Sequence, residues 1–175
     1  MAQTLPNDTL KTPENRASSG TFEVKNQAII WTFKHFNDLS TTEWYAITVA
    51  RESVFIVEQN CPFLDADGAD LVCWHLVGHV NGNIAAYCRI VPAGVKYVEP
   101  SVGRVLTTQN YRTGGFGKAL LTEALKRCDD MFPGVDNKIG AQMYLEKFYA
   151  SFGYETTSAP YDEDGILHVE MVRRV

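Results

Sequence analysis

Apolar and polar positions repeat along this chain with two periods, one of two residues and one of three to four, and together they predict an α/β (α+β) fold. Strands are predicted at residues 28–33, 71–80, 84–91, 102–108, 138–142, 154–157 and 167–173. Helices are predicted at residues 41–55, 118–130 and 143–152. The predicted order is β-α-β-β-β-α-β-α-β-β, and we expect the last two strands to form an antiparallel pair.

Local signals fix several boundaries of these elements. Ser40 and Glu43 have the spacing of a capping box at the start of the first helix. Asn81-Gly82 predicts a tight hairpin turn between two strands. The second helix has an apolar stripe that includes Leu121 and Cys128, whereas Glu123 is predicted to face water.

Length and composition favour one packed domain behind a short polar segment. Residues 1–20 are rich in Thr, Ser, Asn and Pro and are predicted to be a flexible arm. Residues 21–175 are predicted to form a single domain, since 175 residues with 45% apolar content can bury a substantial core. The formal charge of -5 argues against a nucleic-acid partner, which usually requires a basic excess.

The cysteines and the hydropathy pattern predict a cytoplasmic protein. None of the four cysteines forms a C-x-x-C pair or has zinc-ligand spacing, so we expect reduced cysteines and no metal. No run approaches the roughly 20 apolar residues that cross a bilayer, and the first 20 residues lack the apolar region of a signal peptide. No membrane partner is therefore expected.

A glycine-rich bend at residues 111–118 carries the first functional signal. It follows a predicted strand, opens a predicted helix and contains glycine at positions 114, 115 and 117. Glycine allows close backbone approach and positive φ, and the unpaired amides at a helix start attract anions. The bend therefore predicts a phosphate-binding loop.

The bend does not match two common phosphate-binding motifs, and the mismatches occur at specific positions. A Walker A loop would need glycine at Arg112 and a hydroxyl at Ala119. A dinucleotide fingerprint would need its third glycine at Leu120. Neither ATP with magnesium nor NAD is favoured.

The pattern Arg112-x-x-Gly115-x-Gly117 resembles the acetyl-CoA pyrophosphate loop of the GNAT superfamily of N-acetyltransferases. The run at 148–154, Phe-Tyr-Ala-Ser-Phe-Gly-Tyr, resembles the second motif of that family. Runs at 57–62, 65–70, 103–105 and 161–168 resemble the small bacterial ElaA-like branch. The resemblance covers about residues 27–175 on the count of elements.

The resemblance implies a fold and a cofactor site. The fold is a mixed, mostly antiparallel sheet, flanked by helices and splayed into a V, with acetyl-CoA between adjacent parallel strands 102–108 and 138–142. The residues implied to contact the cofactor are Val105, Leu106, Thr107, Arg112, Thr113, Gly114, Gly115, Phe116, Gly117, Lys118 and Gln142. Gln142 stands where many members have Asn.

Acetyl transfer to an amine needs a proton acceptor for the amine and a proton donor for the departing thiolate. The family motif implies that Tyr149 is the donor, although its helical stripe also fits a core aromatic. Glu58, in a loop, and His75 or His168, in strands, are candidate bases, and each also fits a structural role.

Asp65, Asp67 and Asp70 form an acidic loop for which two interpretations stay open. A calcium loop is excluded because Asp70 lies where glycine is needed and Leu76 where glutamate is needed. The loop is then either solvated, which we favour, or an electronegative rim that attracts a cationic amine.

The sequence thus predicts an acetyl-CoA-dependent N-acetyltransferase that transfers acetyl directly to a primary amine of a small molecule or peptide in a ternary complex. A non-catalytic acyl-CoA-binding module on the same fold is the alternative, and a nucleotide-dependent enzyme is a second one. The acceptor amine stays unidentified, and an edge strand near the C-terminus is compatible with a homodimer.

Overall fold

The structure is a computed structural model that describes residues 22–24 and 27–175. The predicted arm at 1–20 lies outside the described residues. The strands are β1 Phe22–Val24, β2 Gln27–His35, β3 Trp74–Val80, β4 Asn83–Val91, β5 Ser101–Thr107, β6 Asn137–Gln142, β7 Tyr154–Thr156, β8 Tyr161–Glu163 and β9 Ile166–Arg173. The α-helices are α1 Thr41–Arg51, α2 Phe116–Met131 and α3 Glu146–Ala150.

The strands form two antiparallel sheets. The first sheet has the order β1-β2-β3-β4-β5, and the second has the order β6-β9-β7, with β8 also paired to β9. The predicted antiparallel pair at the C-terminal end is confirmed as β7 and β9. No strand was predicted in residues 158–165, but the short strand β8 lies there. It pairs with the first part of β9.

The two sheets meet at β5 and β6 and separate from there. The amide of Lys138 donates to the carbonyl of Pro100 at 3.1 Å, which joins the beginnings of the two strands. Beyond this bond β5 and β6 belong to different sheets. This is the splayed V that the sequence predicted.

A bulge in β5 increases this separation. Tyr87 of β4 lies opposite Leu106, whereas Arg89 lies opposite Gly103, so β5 contains one more residue than β4 over the same length. Arg104 has a φ of 51°, in the left-handed region, which accommodates the extra residue. Such a bulge bends the strand locally.

Helix α1 begins as predicted and ends differently. Ser40 Oγ accepts from the Glu43 amide at 3.2 Å and Glu43 Oε2 accepts from the Ser40 amide at 2.9 Å, which confirms the capping box. The predicted helix 41–55 instead stops being α-helical at Arg51 and continues as a π-helix, Glu52–Glu58. Such wider turns often occur at functional sites, and this one directs Glu58 towards the space between the sheets.

Helix α2 packs its apolar stripe against the first sheet, with Leu120, Leu121 and Ala124 fully buried. The prediction that Glu123 faces water is wrong, because Glu123 is buried and its carboxylate accepts from Arg127 Nε at 2.7 Å. The aliphatic neighbours tolerate this carboxylate because a charged partner one turn away neutralises it.

Candidate functional site

A cleft of about 550 Å³ lies between β5, β6 and the π-helix. It brings together predicted residues from five separate segments of the chain. These are Glu58, Val105, Leu106, Thr107, Arg112, Gln142 and Tyr149. Arg104 and His168 also line the cleft, and His75 does not.

The wall formed by β5 offers an unpaired backbone edge. Val105 and Thr107 lie just beyond the bulge, and no strand of the described chain pairs with β5 on the side opposite β4. An extended amide-containing ligand can add to such an edge as a further strand does. The predicted position of the cofactor arm at Val105, Leu106 and Thr107 is compatible with this geometry.

The glycine-rich bend forms a row of free amides at the start of α2. Gly115 has a φ of 87° and is the residue that caps the helix. Within the described chain, no acceptor is assigned to the amides of residues 113–118, and the first helical bond runs from the Ala119 amide to the Gly115 carbonyl at 3.0 Å. Six adjacent N–H groups at the positive end of a helix dipole favour a polyanion.

Side chains hold this bend in place. The Phe116 ring is buried against Tyr111, with ring centroids 5.4 Å apart. A Cβ at Gly114 would lie 2.5 Å from that ring, so only glycine fits there. Arg112 and Lys118 are exposed beside the free amides, where both can approach an anion.

Arg112 is already paired in this structure. Its guanidinium donates to the Glu58 carboxylate through Nη2 and to the Thr107 carbonyl through Nε at 3.3 Å. Both charged side chains are partly exposed at the mouth of the cleft. The Arg112 guanidinium is therefore held by a carboxylate that an incoming polyanion must replace.

Tyr149 is a buried residue whose hydroxyl reaches the cleft. It packs edge-on against Phe148 and Tyr154, so the core position that its helical spacing suggested is real. Its hydroxyl has no hydrogen-bond partner within the described chain, and Tyr149 lines the cleft. Burial raises its pKa above 10, so the phenol stays protonated at neutral pH and can donate a proton.

Gln142 uses both ends of its amide within the protein. Its nitrogen donates to Gln59 Oε1 at 3.2 Å, and its oxygen accepts from Tyr144 at 2.6 Å. Gln142 therefore links β6 to the segment that follows the π-helix, on the side of the cleft opposite β5.

The two candidate histidines lie in different environments. His75 is fully buried between Tyr87 and the Asp70 carbonyl, at 2.8 and 3.2 Å, and burial lowers its pKa to about 4. It does not line the cleft. His168 lines the cleft, is partly exposed, and stacks on Tyr161 while its Nδ1 lies 2.8 Å from the Ile166 carbonyl.

The acidic loop is neither solvated nor an electronegative rim, so both interpretations of it are wrong. Asp70 Oδ1 accepts from the buried Arg51 and Arg89 at 2.7 and 2.8 Å. Asp67 pairs with Arg89, and Asp65 pairs with both Arg51 and Arg104. Three guanidinium groups thus neutralise three carboxylates and tie the loop to β4 and β5.

Arg104 is a residue of the cleft that sequence reasoning missed. Its left-handed backbone and its contact with Asp65, 39 residues earlier, have no local sequence signal. Only the run Gly103-Arg104-Val105, noted as part of the family resemblance, drew attention to this position.

The chain combines two strands that separate, β5 and β6, with a bulge in β5 and free amides at the start of α2. Together these features match the fold and site of the GNAT acyltransferases. A family model described as an acetyltransferase (GNAT) domain matches residues 75–175. The chain belongs to this family.

Several named proteins are similar to this chain over most of its length. The UPF0039 protein sll0451 of Synechocystis sp. is 40% identical over 148 residues, which cover 84% of this chain and 96% of the relative. The protein ElaA of Escherichia coli is 37% identical over 149 residues, which cover 84% of this chain and 97% of ElaA. The predicted resemblance to the ElaA-like branch is confirmed.

Solved structures agree with the fold. The crystal structure of Escherichia coli ElaA has a TM-score of 0.79 at 36% identity and covers 83% of this chain and 99% of ElaA. The crystal structure of an acyl-CoA N-acyltransferase from Pseudomonas aeruginosa also has a TM-score of 0.79, at 33% identity and with coverage of 83% and 99%.

Two features are absent from the part of the chain that the structure describes. No helix in that part is long and apolar enough to cross a membrane. No group of three or more His, Cys, Asp or Glu side chains in residues 28–175 is arranged to hold a metal ion.

Proposed function

We propose that this protein is an acetyl-CoA-dependent N-acetyltransferase that transfers the acetyl group to a primary amine of a small molecule or peptide. The observation that carries the proposal is the row of free amides at residues 113–118, which directly follows Arg112, a residue that lines the cleft together with Tyr149. The amides, with Arg112 and Lys118, suit the pyrophosphate of coenzyme A.

The residues of the cleft have distinct roles in this proposal. The amine nitrogen attacks the thioester carbonyl carbon, and a backbone N–H of Val105, Leu106 or Thr107 stabilises the oxyanion. The carbon–sulfur bond then breaks, and Tyr149 donates its proton to the departing sulfur. Glu58 or His168, directly or through water, accepts the proton that the amine loses.

Direct transfer in a ternary complex is supported by the state of the cysteines. Cys73, Cys88 and Cys128 are buried, and burial raises the pKa of Cys73 and of Cys128 to about 11. Such thiols are poor nucleophiles at neutral pH. Cys61 does not line the main cleft. Free cysteines also fit the cytoplasmic location that we propose.

The first experiment compares ligands by thermal shift. Acetyl-CoA and coenzyme A are expected to raise the Tm, because both present the pyrophosphate to the free amides. Stabilisation by ATP or NAD, with none by coenzyme A, would contradict the proposal.

The second experiment incubates the protein with acetyl-CoA and a panel of primary amines and measures the free thiol released. Amine-dependent release supports the transferase. Tight binding of coenzyme A, with no thiol released from acetyl-CoA in the presence of any amine, would instead identify a non-catalytic acyl-CoA-binding module.

A further inference from the structure

Arg104 differs from the other two arginines of the charge network by its access to solvent. Arg51 and Arg89 have only 2% of their side chains exposed, whereas Arg104 has 25% exposed. Arg104 lines the main cleft and also a smaller adjoining cleft of about 120 Å³. It is therefore the only arginine of this network that a ligand can reach.

The network fixes the guanidinium group of Arg104 by two of its three nitrogens. Nε donates to Asp65 Oδ1 at 2.6 Å, and Nη2 donates to the Asp65 carbonyl at 2.9 Å. The plane of the group lies near the Phe55 ring, 5.9 Å from its centroid. Nη1 has no hydrogen-bond partner in residues 28–175, which leaves it free to donate to a ligand.

Two carboxylates lie beside Arg104. Asp65 is shared with Arg51, whose Nε donates to Asp65 Oδ2 at 2.6 Å, and Asp67 Oδ2 lies 3.5 Å from Arg104 Nη2. A planar, pre-oriented guanidinium with a free N–H is suited to a carboxylate, because little side-chain entropy is lost on binding.

The smaller cleft also presents groups of the opposite charge and an apolar surface. Glu163 and Asp164, from the turn between β8 and β9, line it together with His168. Phe63 and Leu64 are exposed at the same cleft. A ligand with separated positive and negative groups is therefore more complementary to this cleft than a simple cation.

The position of Arg104 connects this binding site to the reaction. Arg104 immediately precedes Val105, and consecutive Cα atoms are only about 3.8 Å apart. Val105 belongs to the strand edge that faces the thioester in the proposed function. A carboxylate held by Arg104 thus places an amine a few bonds away next to the transferred group.

We propose that Arg104 binds the carboxylate of the acceptor, so that the acceptor is a small amino acid or a closely similar amino carboxylate. The proposal rests on the proposed function for the transfer itself. It assigns the smaller cleft to the acceptor and the glycine-rich bend to the donor.

The test uses pairs of acceptors that differ only in charge. Each of the common α-amino acids and two short ω-amino acids is compared with its carboxamide, and thiol release from acetyl-CoA gives kcat and KM. We expect at least one carboxylate to be favoured over its carboxamide by about tenfold or more in kcat/KM, the effect of a hydrogen bond to a charged group. Equal kcat/KM for every pair would overturn the proposal while leaving the transferase intact.

Substitutions of Arg104 test whether this side chain causes the preference for the carboxylate. Arg104→Gln is expected to bring the carboxylate-to-carboxamide ratio close to one through a higher KM for the carboxylate, and Arg104→Lys to restore part of it. Arg174→Gln, at an exposed ion pair of the chain end, is the matched control and keeps the ratio. A ratio that is unchanged in Arg104→Gln would contradict the assignment.

A binding measurement separates this proposal from the proposed function. N-acetyl amino acids and their carboxamides are titrated into the complex with coenzyme A, which needs no turnover. Carboxylate-selective binding that Arg104→Gln abolishes supports the acceptor site even if no amine is acetylated. If Arg104→Gln does not fold, Arg104→Lys, which keeps the charge but not the planar guanidinium, is expected to weaken the same binding, and unaltered binding would contradict the proposal.

Discussion

Glu58 and Arg112 form an ion pair across the mouth of the cleft, between the last residue of the π-helix and the first residue of the glycine-rich pattern. The pair joins a candidate base to a candidate phosphate ligand. In the proposed function, this ion pair competes with phosphate binding by Arg112 and with proton acceptance by Glu58. When a pyrophosphate binds Arg112, the Glu58 carboxylate becomes available to accept a proton.

Glu58→Gln is expected to tighten binding of coenzyme A, because Arg112 no longer exchanges a carboxylate for a phosphate. Ion pairs with this degree of exposure contribute about 0.2–1 kcal/mol, so the Kd should fall by a factor of about 1.4 to 5. Calorimetric titration measures it, with Glu52→Gln, an exposed residue at the start of the same π-helix, as the control. An unchanged Kd in Glu58→Gln would contradict the exchange of partners.

Tyr149→Phe is expected to lower kcat by about 100-fold or more, the usual contribution of a positioned proton donor. The Kd for acetyl-CoA and the Tm should change little, because the hydroxyl has no partner within the described chain. Tyr154→Phe is the matched control. Its buried hydroxyl donates to Asn137 Oδ1 away from the cleft, so this variant should lose stability and keep kcat. A normal kcat in Tyr149→Phe would remove Tyr149 from the mechanism.

Much of the fold could be predicted because its signals are local. Asn81-Gly82 adopts positive φ at both residues, 50° and 79°, and joins β3 to β4 as the sequence indicated. Gly115 caps α2 at the predicted bend. In each case the residue type itself favours the backbone conformation, so neighbours in space are not needed to recognise it.

Features that depend on distant partners could not be predicted. The loop with Asp65, Asp67 and Asp70 looked solvated because its arginine partners lie 14 to 39 residues away in the chain. The bulge at Arg104 and the change from α-helix to π-helix after Arg51 also occur at residues with a distant partner, because both arginines contact Asp65. The proposed cofactor side of the cleft could therefore be predicted from motifs, whereas the proposed acceptor side could not.

The protein is expected to lose stability on mild acidification because of His75. Burial holds its pKa at about 4 in the folded protein, below its ordinary value of 6.5. Between these values the unfolded chain binds a proton that the folded protein does not, so the free energy of unfolding falls as the pH drops, by on the order of 2 kcal/mol. Denaturant titrations at pH 7.0 and about 4.5 measure this difference.

Variants attribute this acid sensitivity to one side chain. His75→Gln should be less stable at neutral pH, because it disturbs the contacts with Tyr87 and Asp70, but its stability should depend less on pH. His168→Gln leaves the buried imidazole in place and should keep the wild-type dependence. An unaltered pH dependence in His75→Gln would show that other groups cause it.

Asp70→Asn is expected to destabilise the fold strongly, by about 3–5 kcal/mol, because it leaves two buried guanidinium groups without their shared carboxylate. Glu155→Gln breaks an exposed ion pair with Arg174 and should change the free energy of unfolding by less than about 0.5 kcal/mol. Chemical denaturation compares the two. Similar small losses would mean that water or rearranged partners compensate Arg51 and Arg89.

Gly115→Ala is expected to weaken coenzyme A binding more than its effect on stability explains. Its φ of 87° strains any residue with a Cβ by about 1–2 kcal/mol. Relief of that strain would rotate the amides that bind the pyrophosphate, so the Kd should rise by about tenfold or more. Gly134→Ala is the matched control, since Gly134 has a φ of 71° and lies in open space after the C-terminal end of α2, whereas Gly115 caps the N-terminal end. Both variants should lose similar stability, but only Gly115→Ala should lose affinity. Equal affinities in the two variants would mean that the bend does not bind the pyrophosphate.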